Sequence, residues 1–240
     1  MKNKKISLAV IPAREGSKRL INKNIRLIDG HPLIAYTICA VKKSKNVDFW
    51  LLSSDSEKII KIGKKYNAPI YFKRPKNISG DKIRNSETLI HALKFIEKKF
   101  KLTVDIILLL QPTSPIRDSR HIDKAIKLLG DSHNGITTLA SIKGPLKKRD
   151  PIIKKIDKKG HLRNFDSVTK KNLEPFYLYN ASIYGVKREY LLKHKKFTSE
   201  KQIPLKMNFL QSLDIDDIDD LNLVKSLFKT KIVDKYKINE

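Results

Sequence analysis

The sequence contains a single cysteine, Cys39, so the chain cannot form an internal disulfide. Cys39 lies in an apolar run with helical spacing, where we expect a small buried side chain. Long hydrophobic runs are also missing: no segment approaches the length of a membrane span, and the apolar run near the start is too short for a signal peptide. We therefore expect a cytoplasmic protein with no membrane partner.

Acidic residues are scarce, with 25 against 51 basic residues and a formal net charge of +26. Such an excess is typical of proteins that bind nucleic acid or anionic membranes. Here the lysines are spread along the whole chain, whereas nucleic-acid binding favours a clustered basic face with interleaved aromatic residues. A coding sequence rich in A and T gives the same scattered pattern. We predict no nucleic-acid partner, and a non-catalytic basic nucleic-acid-binding protein remains the alternative from another class.

The familiar glycine-rich nucleotide fingerprints are absent too, since the first loop has one glycine and no Gly-Lys-Ser/Thr ending. What the chain has instead is a short apolar strand that turns at Pro12 into a polar, basic loop over residues 14–24. A phosphate cradle needs a glycine for close backbone approach, amide and hydroxyl donors, and cations. The loop fits that description, and an ordinary strand-to-helix turn with solvated lysines fits it as well.

The first third of the chain alternates between strand and helix patterns. A helix is predicted over residues 31–41, a buried strand over 49–55, a helix over 57–66 and a short strand over 69–72. This rhythm predicts an α/β fold with a doubly wound parallel sheet, in which ligands bind at the carboxyl ends of the strands. With 240 residues, of which 40% are hydrophobic, we expect a single domain over 1–240.

Two later stretches carry polar residues where strands or helices begin and end. Residues 105–117 predict a central strand that ends at Gln111, followed by two prolines that bracket a hydroxyl pair. Residues 211–221 contain Asp214 and Asp216, which share one face of an extended segment and can converge on a hard cation. Taken alone, the acidic cluster is equally typical of a helix N-terminus. Between these stretches, residues 142–175 favour a small antiparallel excursion.

Three motifs, read together, resemble the CMP-sialic acid synthetases, also called acylneuraminate cytidylyltransferases. They are Ala-Arg-x-Gly-Ser-Lys-Arg-Leu-x-x-Lys-Asn at 13–24, Leu-Leu-Gln-Pro-Thr-Ser-Pro-x-Arg at 109–117, and Asp-Ile-Asp at 214–216. Residues 180–184 are similar to that family's Asn-(small)-x-Ile-Tyr strand. The resemblance covers nearly the whole chain.

The resemblance implies a Rossmann-like nucleotidyltransferase fold whose sheet is mostly parallel, with an antiparallel dimerisation extension at about 142–175 and hence a homodimer. It implies that CTP and a nonulosonic acid, a nine-carbon sugar acid, react to give the CMP-sugar and pyrophosphate, with Mg²⁺ as cofactor. The nearest rival is activation of the eight-carbon acid Kdo. The full first loop and the Gln-Pro-Thr-Ser-Pro stretch favour the nine-carbon class.

The resemblance also assigns residues to roles. The catalytic residues are Arg14, Lys23 and Asp216, and Asp214 and Asp216 are the metal ligands. The nucleotide-binding set is Arg14, Ser17, Lys18, Lys23, Asn24, Arg74 and Asp81. The sugar-binding set is Gln111, Asn180, Tyr184 and Asp214. His91, alone on an amphipathic helix, is left out of the site.

The sequence departs from the family pattern at three places. Glu15 introduces an acid into the phosphate loop. Residues 170–175 match the usual Arg-x-x-Leu-Pro segment poorly, and Leu178 and Tyr179 replace the common Arg-Pro pair before Asn180. These last differences lie where the sugar is expected to bind. The difference at 170–175 concerns recognition of the sugar carboxylate, and the one at Leu178 and Tyr179 points to a modified sugar such as a legionaminic or pseudaminic acid.

Overall fold

The computed structural model describes residues 4–130, 135–142, 153–164, 176–198 and 202–238. The strands are β1 (Ser7–Ala13), β2 (Leu27–Ile28), β3 (His31–Pro32), β4 (Phe49–Ser54), β5 (Ile106–Leu110), β6 (Gly135–Ile142), β7 (Ile153–Ile156), β8 (Leu162–Asn164), β9 (Phe176–Lys187) and β10 (Gln202–Met207). The helices are α1 (Leu33–Lys42), α2 (Glu57–Lys65), α3 (Asn85–Phe100), α4 (Ser119–Leu128), α5 (Arg188–His194) and α6 (Ile218–Phe228).

The main sheet has the strand order β10, β6, β9, β5, β1, β4. The pairs β1 with β4, β1 with β5, and β6 with β10 are parallel, and β9 runs antiparallel between β5 and β6. A separate two-stranded sheet joins β2 to β3. The predicted doubly wound, mostly parallel sheet is therefore confirmed.

Alternate residues of the central strands pack on opposite faces of the sheet, as the two-residue period of a strand requires. On β1, Ala9 and Ile11 join the cluster that α1, α2 and α4 cover, whereas Leu8 and Val10 join the cluster under α3 and α5. All four side chains are fully buried. The continuous apolar run of β1 is thus explained by burial on both faces.

A third apolar cluster docks the end of the described chain against the first helix. The Phe228 ring on α6 meets the Tyr36 ring on α1 at a centroid distance of 5.1 Å, and Ile215 and Leu20 are buried in the same cluster. Leu20 belongs to the predicted phosphate loop, and Ile215 lies between Asp214 and Asp216. This packing brings the two most distant motifs of the sequence together.

Two local expectations differ from the structure. Residues 69–72 are not a strand: they run beside β4 with single backbone bonds from Leu52 N to Pro69 O (3.0 Å) and from Arg74 N to Ser54 O (2.8 Å). Their apolar side chains pack on the sheet without a continuous ladder. Cys39 lies on α1 as predicted but is half-buried rather than buried, and burial raises the pKa of its thiol.

The excursion predicted within 142–175 is described in part. β7 pairs antiparallel with β8 and with β9, and the turn between β7 and β8 contains Gly160 at a φ of +78°. The hairpin lies off the main strand path. Residues 143–152 and 165–175, including the departures at 170–175, lie outside the described residues.

β9 carries an irregularity beside the carboxyl end of β5. Its register against β6 shifts between Thr137 and Leu139, so an extra stretch of β9 at residues 180–183 bulges from the ladder. Ala181 within it has a φ of +56°, a left-handed conformation that is uncommon for a residue other than glycine. We call residues 180–183 the β9 bulge.

Gly185 packs β9 tightly between its neighbours, so we predict that Gly185→Ala destabilises the protein. An added Cβ would lie 2.5 Å from Ile136 Cγ2 and 2.9 Å from Leu108 Cδ2, and both side chains are buried. Overpacking of this kind costs about 1–3 kcal/mol. Urea denaturation measures the loss, and Gly130→Ala is the control because its Cβ would meet only Lys127 O at 3.9 Å. Equal stabilities of the two variants would contradict the prediction.

Asp118 caps α4 directly after the second motif, and we predict a pH-dependent loss of stability in Asp118→Ala. Partial burial opposes ionisation, but hydrogen bonds from His121 and Arg120 hold the pKa of Asp118 well below its usual range. A carboxyl group whose pKa is lower in the folded than in the unfolded state stabilises the fold at pH values above its unfolded pKa. That contribution is lost as the pH falls from the unfolded pKa through the folded one. We expect a loss of about 1 kcal/mol at neutral pH. Urea denaturation should show it shrink below about pH 4, the unfolded pKa of aspartate, and a constant loss would refute the explanation.

Candidate active site

A cleft of about 560 Å³ opens at the carboxyl ends of β1, β4 and β5. Its walls come from the loop after β1, the segment between β4 and α3, the segment after β5, and the residues before α6. Most of the predicted site residues line it: Arg14, Ser17, Lys18, Lys23, Asn24, Arg74, Asp81, Gln111 and Asp216. This is the edge at which parallel sheets bind ligands.

The loop after β1 is shaped by its own backbone contacts. A 3₁₀ turn at Lys23–Ile25 begins after Asn22, whose φ of +58° is left-handed. The buried Asn24 side chain donates from Nδ2 to Arg14 O at 3.2 Å and so ties the two ends of the loop together. These contacts hold the basic side chains of the loop against the cleft.

Asp216 lies between two of those cations. Its Oδ1 accepts a hydrogen bond from Lys23 Nζ at 2.9 Å, and its Oδ2 accepts one from Arg19 at 2.8 Å. Lys23 is largely buried and also donates to Ile215 O at 2.8 Å. Partial burial opposes ionisation of Asp216, but the hydrogen bond and charge of Lys23, followed by those of Arg19, lower its pKa. Asp216 is therefore an ionised carboxylate in the cleft.

Asp81 makes a second ion-pair cluster on the opposite wall. Its Oδ1 accepts a hydrogen bond from Arg14, and its Oδ2 pairs with Lys18 Nζ at 2.8 Å. All three side chains are partly or largely exposed, so these pairs are screened and exchangeable. A polyphosphate entering the cleft would compete with the carboxylates for the same cations.

Arg74 is the buried cation of the nucleotide-binding set. Its guanidinium donates from NH2 to Asp55 Oδ1 and from Nε to Ser79 Oγ, each at 3.2 Å. Burial lowers the pKa of Arg74, and the neighbouring Asp55 opposes that shift. Asp55 and Ser79 thus fix one planar donor group in the wall of the cleft.

Asp214 lies behind Thr113, which lines the cleft. The carboxylate is half-buried, and its Oδ1 is enclosed without a hydrogen-bond partner among the described residues. Burial raises the pKa of Asp214, and the Thr113 hydroxyl and the charge of Lys23 oppose that rise. The acidic cluster of the sequence is therefore divided, because Asp217 and Asp220 form the capping box of α6 and leave Asp214 and Asp216 at the cleft.

Three predicted sugar-binding residues lie outside the lining of this cleft, namely Asp214 behind Thr113 and the two β9 residues Asn180 and Tyr184. Asn180, in the β9 bulge, is buried and donates from Nδ2 to Ser212 Oγ at 2.9 Å. Tyr184 packs its ring against Phe197 at 5.0 Å, and burial raises the pKa of its hydroxyl to about 12. Their roles in sugar binding stay predictions.

The structure adds cleft residues that sequence reasoning left without a role. Arg19 belongs to the first motif, and its pairing with Asp216 depends on a fold contact that no local pattern shows. Ser79, Asn85 and Thr88 line the same wall as Arg74. In the sequence these three residues belong to a polar loop and the start of a helix. That pattern is common in α/β proteins and does not by itself indicate a binding site.

The arrangement suits a polyphosphate and a divalent cation. The loop cations can neutralise phosphate oxygens, and the carboxylates of Asp214 and Asp216 are the hard oxygen donors that Mg²⁺ prefers. Within the part of the chain that the structure describes, no group of three or more His, Cys, Asp or Glu side chains is placed to hold a metal. Sites with one or two carboxylates are typical when phosphates complete the coordination.

No helix among the described residues has both the length and the apolar character needed to cross a membrane.

Comparison with known proteins gives the cleft a family context. A family model described as Cytidylyltransferase matches residues 8–238. The chain is 34% identical to a CMP-N,N'-diacetyllegionaminic acid synthase of Legionella pneumophila, covering 92% of this chain and 96% of that protein. It is 33% identical to an N-acylneuraminate cytidylyltransferase of Escherichia coli, covering 93% of this chain and 52% of that protein. A pseudaminic acid cytidylyltransferase of Campylobacter jejuni is 28% identical, with 93% and 96% covered.

Solved structures show the same fold at lower identity. A CMP:2-keto-3-deoxy-manno-octonic acid synthetase complexed with CTP matches with a TM-score of 0.73 and 15% identity, covering 93% of this chain and 98% of that one. A 4-diphosphocytidyl-2C-methyl-D-erythritol synthase matches with a TM-score of 0.66 and 14% identity, covering 95% and 99%. The family match and the two relatives at 33 and 34% identity show that the chain belongs to the cytidylyltransferases, a family of nucleotidyltransferases, and among them to the CMP-sialic acid synthetases.

Proposed function

We propose that this protein transfers CMP from CTP to a nonulosonic acid and releases pyrophosphate. The observation that carries the proposal is the cleft itself, where the cations after β1 and the carboxylate of Asp216 come from opposite ends of the chain to one pocket. In this reaction the anomeric hydroxyl of the sugar attacks the α-phosphorus of CTP, and the bond to the β-phosphate breaks. Positioning and charge neutralisation account for most of the acceleration, because pyrophosphate is already a good leaving group.

We assign Arg14, Ser17, Lys18 and Lys23 to the triphosphate. Arg14 and Lys23 stabilise the charge that develops on the α-phosphate and on pyrophosphate. Their present partners, Asp81 and Asp216, support this role because each carboxylate occupies cations that a phosphate oxygen would take. Asn24, Arg74 and Asp81 are assigned to the cytidine side of the cleft.

We propose that Asp214 and Asp216 hold Mg²⁺. The enclosed Oδ1 of Asp214, which has no hydrogen-bond partner among the described residues, and the ionised carboxylate of Asp216 both fit such an ion. When bound, Mg²⁺ supplies Lewis-acid polarisation of the phosphate oxygens.

For the sugar, we propose a legionaminic or pseudaminic type of acid over Kdo. The relatives named for nine-carbon acids match at 28–34% identity over nearly the whole chain, whereas the named Kdo enzyme matches at 15% and shows the fold alone. Leu178 and Tyr179 replace the common Arg-Pro pair just before the β9 bulge, which supports a modified sugar. Gln111, Asn180, Tyr184 and Asp214 are the residues we assign to its recognition.

We further propose a homodimer in the cytoplasm, with pairing through the extension at about 142–175. The β7–β8 hairpin supports this, because it lies off the main strand path and, among the described residues, packs in a small cluster that contains Leu162 and Tyr177. Light scattering coupled to gel filtration tests the dimer. A monomer at the concentrations used for activity would reject it.

Pyrophosphate release tests the reaction. With Mg²⁺ present, each of the four nucleoside triphosphates is offered with neuraminic, legionaminic, pseudaminic and Kdo acids in turn. We expect release with CTP only, and with a nine-carbon acid. The exposed-lysine variant Lys98→Met is the matched control for the site variants. Release with Kdo alone would overturn the sugar class, and the absence of CTP binding by folded protein would overturn the function.

A further inference from the structure

Arg117 is a fully buried arginine with no part in the reaction as proposed above. It closes the second motif, seven residues after the end of β5 and just before the cap of α4, and its side chain is 2% exposed. A charged side chain at this depth costs free energy unless its donors are bonded. The hydrogen bonds that Arg117 makes therefore indicate its role in the structure.

The guanidinium of Arg117 joins three separate elements. NH1 donates to Gln111 O at 3.1 Å, just after β5, and to Ser182 O at 2.7 Å, in the β9 bulge. NH2 donates to Thr37 Oγ1 at 2.6 Å, on α1. Only a planar group with several donors in a fixed fork can make these bonds at once.

The three acceptors are also linked to one another. The Thr37 hydroxyl donates to Gln111 O at 3.3 Å, and Gln111 N donates to Ser182 O at 3.4 Å. Arg117 therefore sits at the centre of a buried network at the point where β5 ends and β9 bulges. Networks of this kind fix backbone positions because each bond limits the freedom of the others.

Both backbone positions carry residues that we assign to the sugar. Gln111 itself lines the cleft. Ser182 N donates to Asn180 Oδ1 at 3.2 Å, so the amide of Asn180 is oriented from the same residue whose carbonyl Arg117 holds. The loop cations of the nucleotide half have other partners, chiefly Asp81 and Asp216.

We propose that Arg117 is a positioning residue that sets the sugar half of the cleft by clamping Gln111 and the β9 bulge to α1. The proposal rests on the proposed function for its link to the sugar, whereas the clamp itself is a property of the unliganded protein.

The kinetic test compares Arg117→Lys with wild type. Lysine keeps the charge but cannot reach three acceptors in a fork, so we expect KM for the sugar acid to rise about 10- to 100-fold while KM for CTP stays unchanged. In a Gln111→Ala background the same substitution should add a smaller rise, because only the part of the clamp that acts through Ser182 and Asn180 is left. Arg120→Lys, at an exposed arginine in the first turn of α4, is the matched control.

A second variant covers the case in which Arg117→Lys fails to fold. Thr37→Val keeps the shape of the side chain and removes one of the three acceptors, so a smaller rise in sugar KM is expected. A residue with a merely structural role would lower the free energy of unfolding and leave the ratio of the two KM values unchanged, and that result would overturn the proposal.

Hydrogen exchange without substrates separates the clamp from the function. In Arg117→Lys, the amides of Leu110, Gln111 and Thr113 and those at 180–183 should exchange faster, whereas the amides at 8–11 of β1 should not change. Unchanged exchange at both segments would overturn the clamp whatever the turnover. Faster exchange in a protein that shows no turnover with any sugar acid would support the clamp and reject the proposed function.

Discussion

Asp216→Asn is expected to lower kcat by roughly 100-fold while CTP binding without metal is retained or strengthened. Asparagine keeps the shape of the side chain but loses the charge that holds Mg²⁺, and loss of a ligand costs at least as much as loss of its supporting shell. The substitution also releases Lys23 and Arg19, whose bonds to Asp216 are 2.9 and 2.8 Å long. Two freed cations favour the triphosphate.

Steady-state kinetics and calorimetric CTP titration, with and without Mg²⁺, measure both effects. Asp219→Asn is the matched control, because it removes the same charge from an exposed position in the first turn of α6, outside the cleft lining. A kcat near that of wild type in Asp216→Asn would reject the metal role. Weaker CTP binding by Asp216→Asn in the absence of metal would contradict the idea that the phosphates bind the cations that Asp216 holds in the free protein.

Lys23→Met is expected to reduce kcat by about 10²–10³-fold, the effect of removing one preorganised group that faces developing charge. Methionine has a similar length and no charge. Because Lys23 is 13% exposed and is held by Asp216 and Ile215 O, its ammonium is positioned before the nucleotide binds. The loss should therefore appear in kcat more than in KM for CTP.

Single-turnover measurement of pyrophosphate release separates chemistry from binding in this variant. Lys98→Met, which removes an exposed lysine from the far end of α3, controls for the change in net charge. Urea denaturation measures the free energy of unfolding and checks that the loop at 14–24 still packs when residue 23 is methionine. A Lys23→Met enzyme with unchanged single-turnover rate would show that Lys23 supports the loop and does not act on the phosphate.

The fold and the edge of the sheet that binds ligand could be predicted from the sequence because both depend on local patterns. The five apolar residues of β5 and the apolar run 8–11 of β1 are buried on both faces of the sheet, and continuous apolar runs are typical of strands buried in this way. Parallel strands in turn bring their carboxyl ends to one edge. The loop at 14–24 and Gln111 meet there for that reason, whereas the residues before α6 are brought there by the packing of Ile215 and α6.

The pairing inside the cleft could not be predicted, because it depends on contacts between distant segments. Nothing near Asp81 in the sequence indicates that it receives Arg14 and Lys18, and the partners of Asp216 lie almost two hundred positions away. The same limit applies to Arg117. In the sequence, Arg117 is only the last residue of the second motif. Its hydrogen-bond network is visible only in the structure, from its burial and its three acceptors.

Residues 69–72 illustrate a limit of local propensity. A run with proline, isoleucine and aromatic residues reads as a strand, but a strand needs a ladder of bonds to a neighbour. β4 offers this segment only the bonds from Leu52 and to Ser54. The acidic stretch before α6 was equally typical of a helix N-terminus and of a cation site. In the structure Asp217 caps α6, whereas Asp216 lines the cleft and pairs with Lys23.

Direct detection of the product tests the central claim most simply. CTP, Mg²⁺ and N,N'-diacetyllegionaminic acid are incubated with the protein, and the mixture is analysed by phosphorus NMR and mass spectrometry. We predict one CMP-sugar phosphodiester for each pyrophosphate released, and roughly a hundredth of both products in Asp216→Asn over the same period. CTP consumed to CMP without a sugar adduct, or no reaction with any nine-carbon acid by protein that binds CTP, would contradict the assignment.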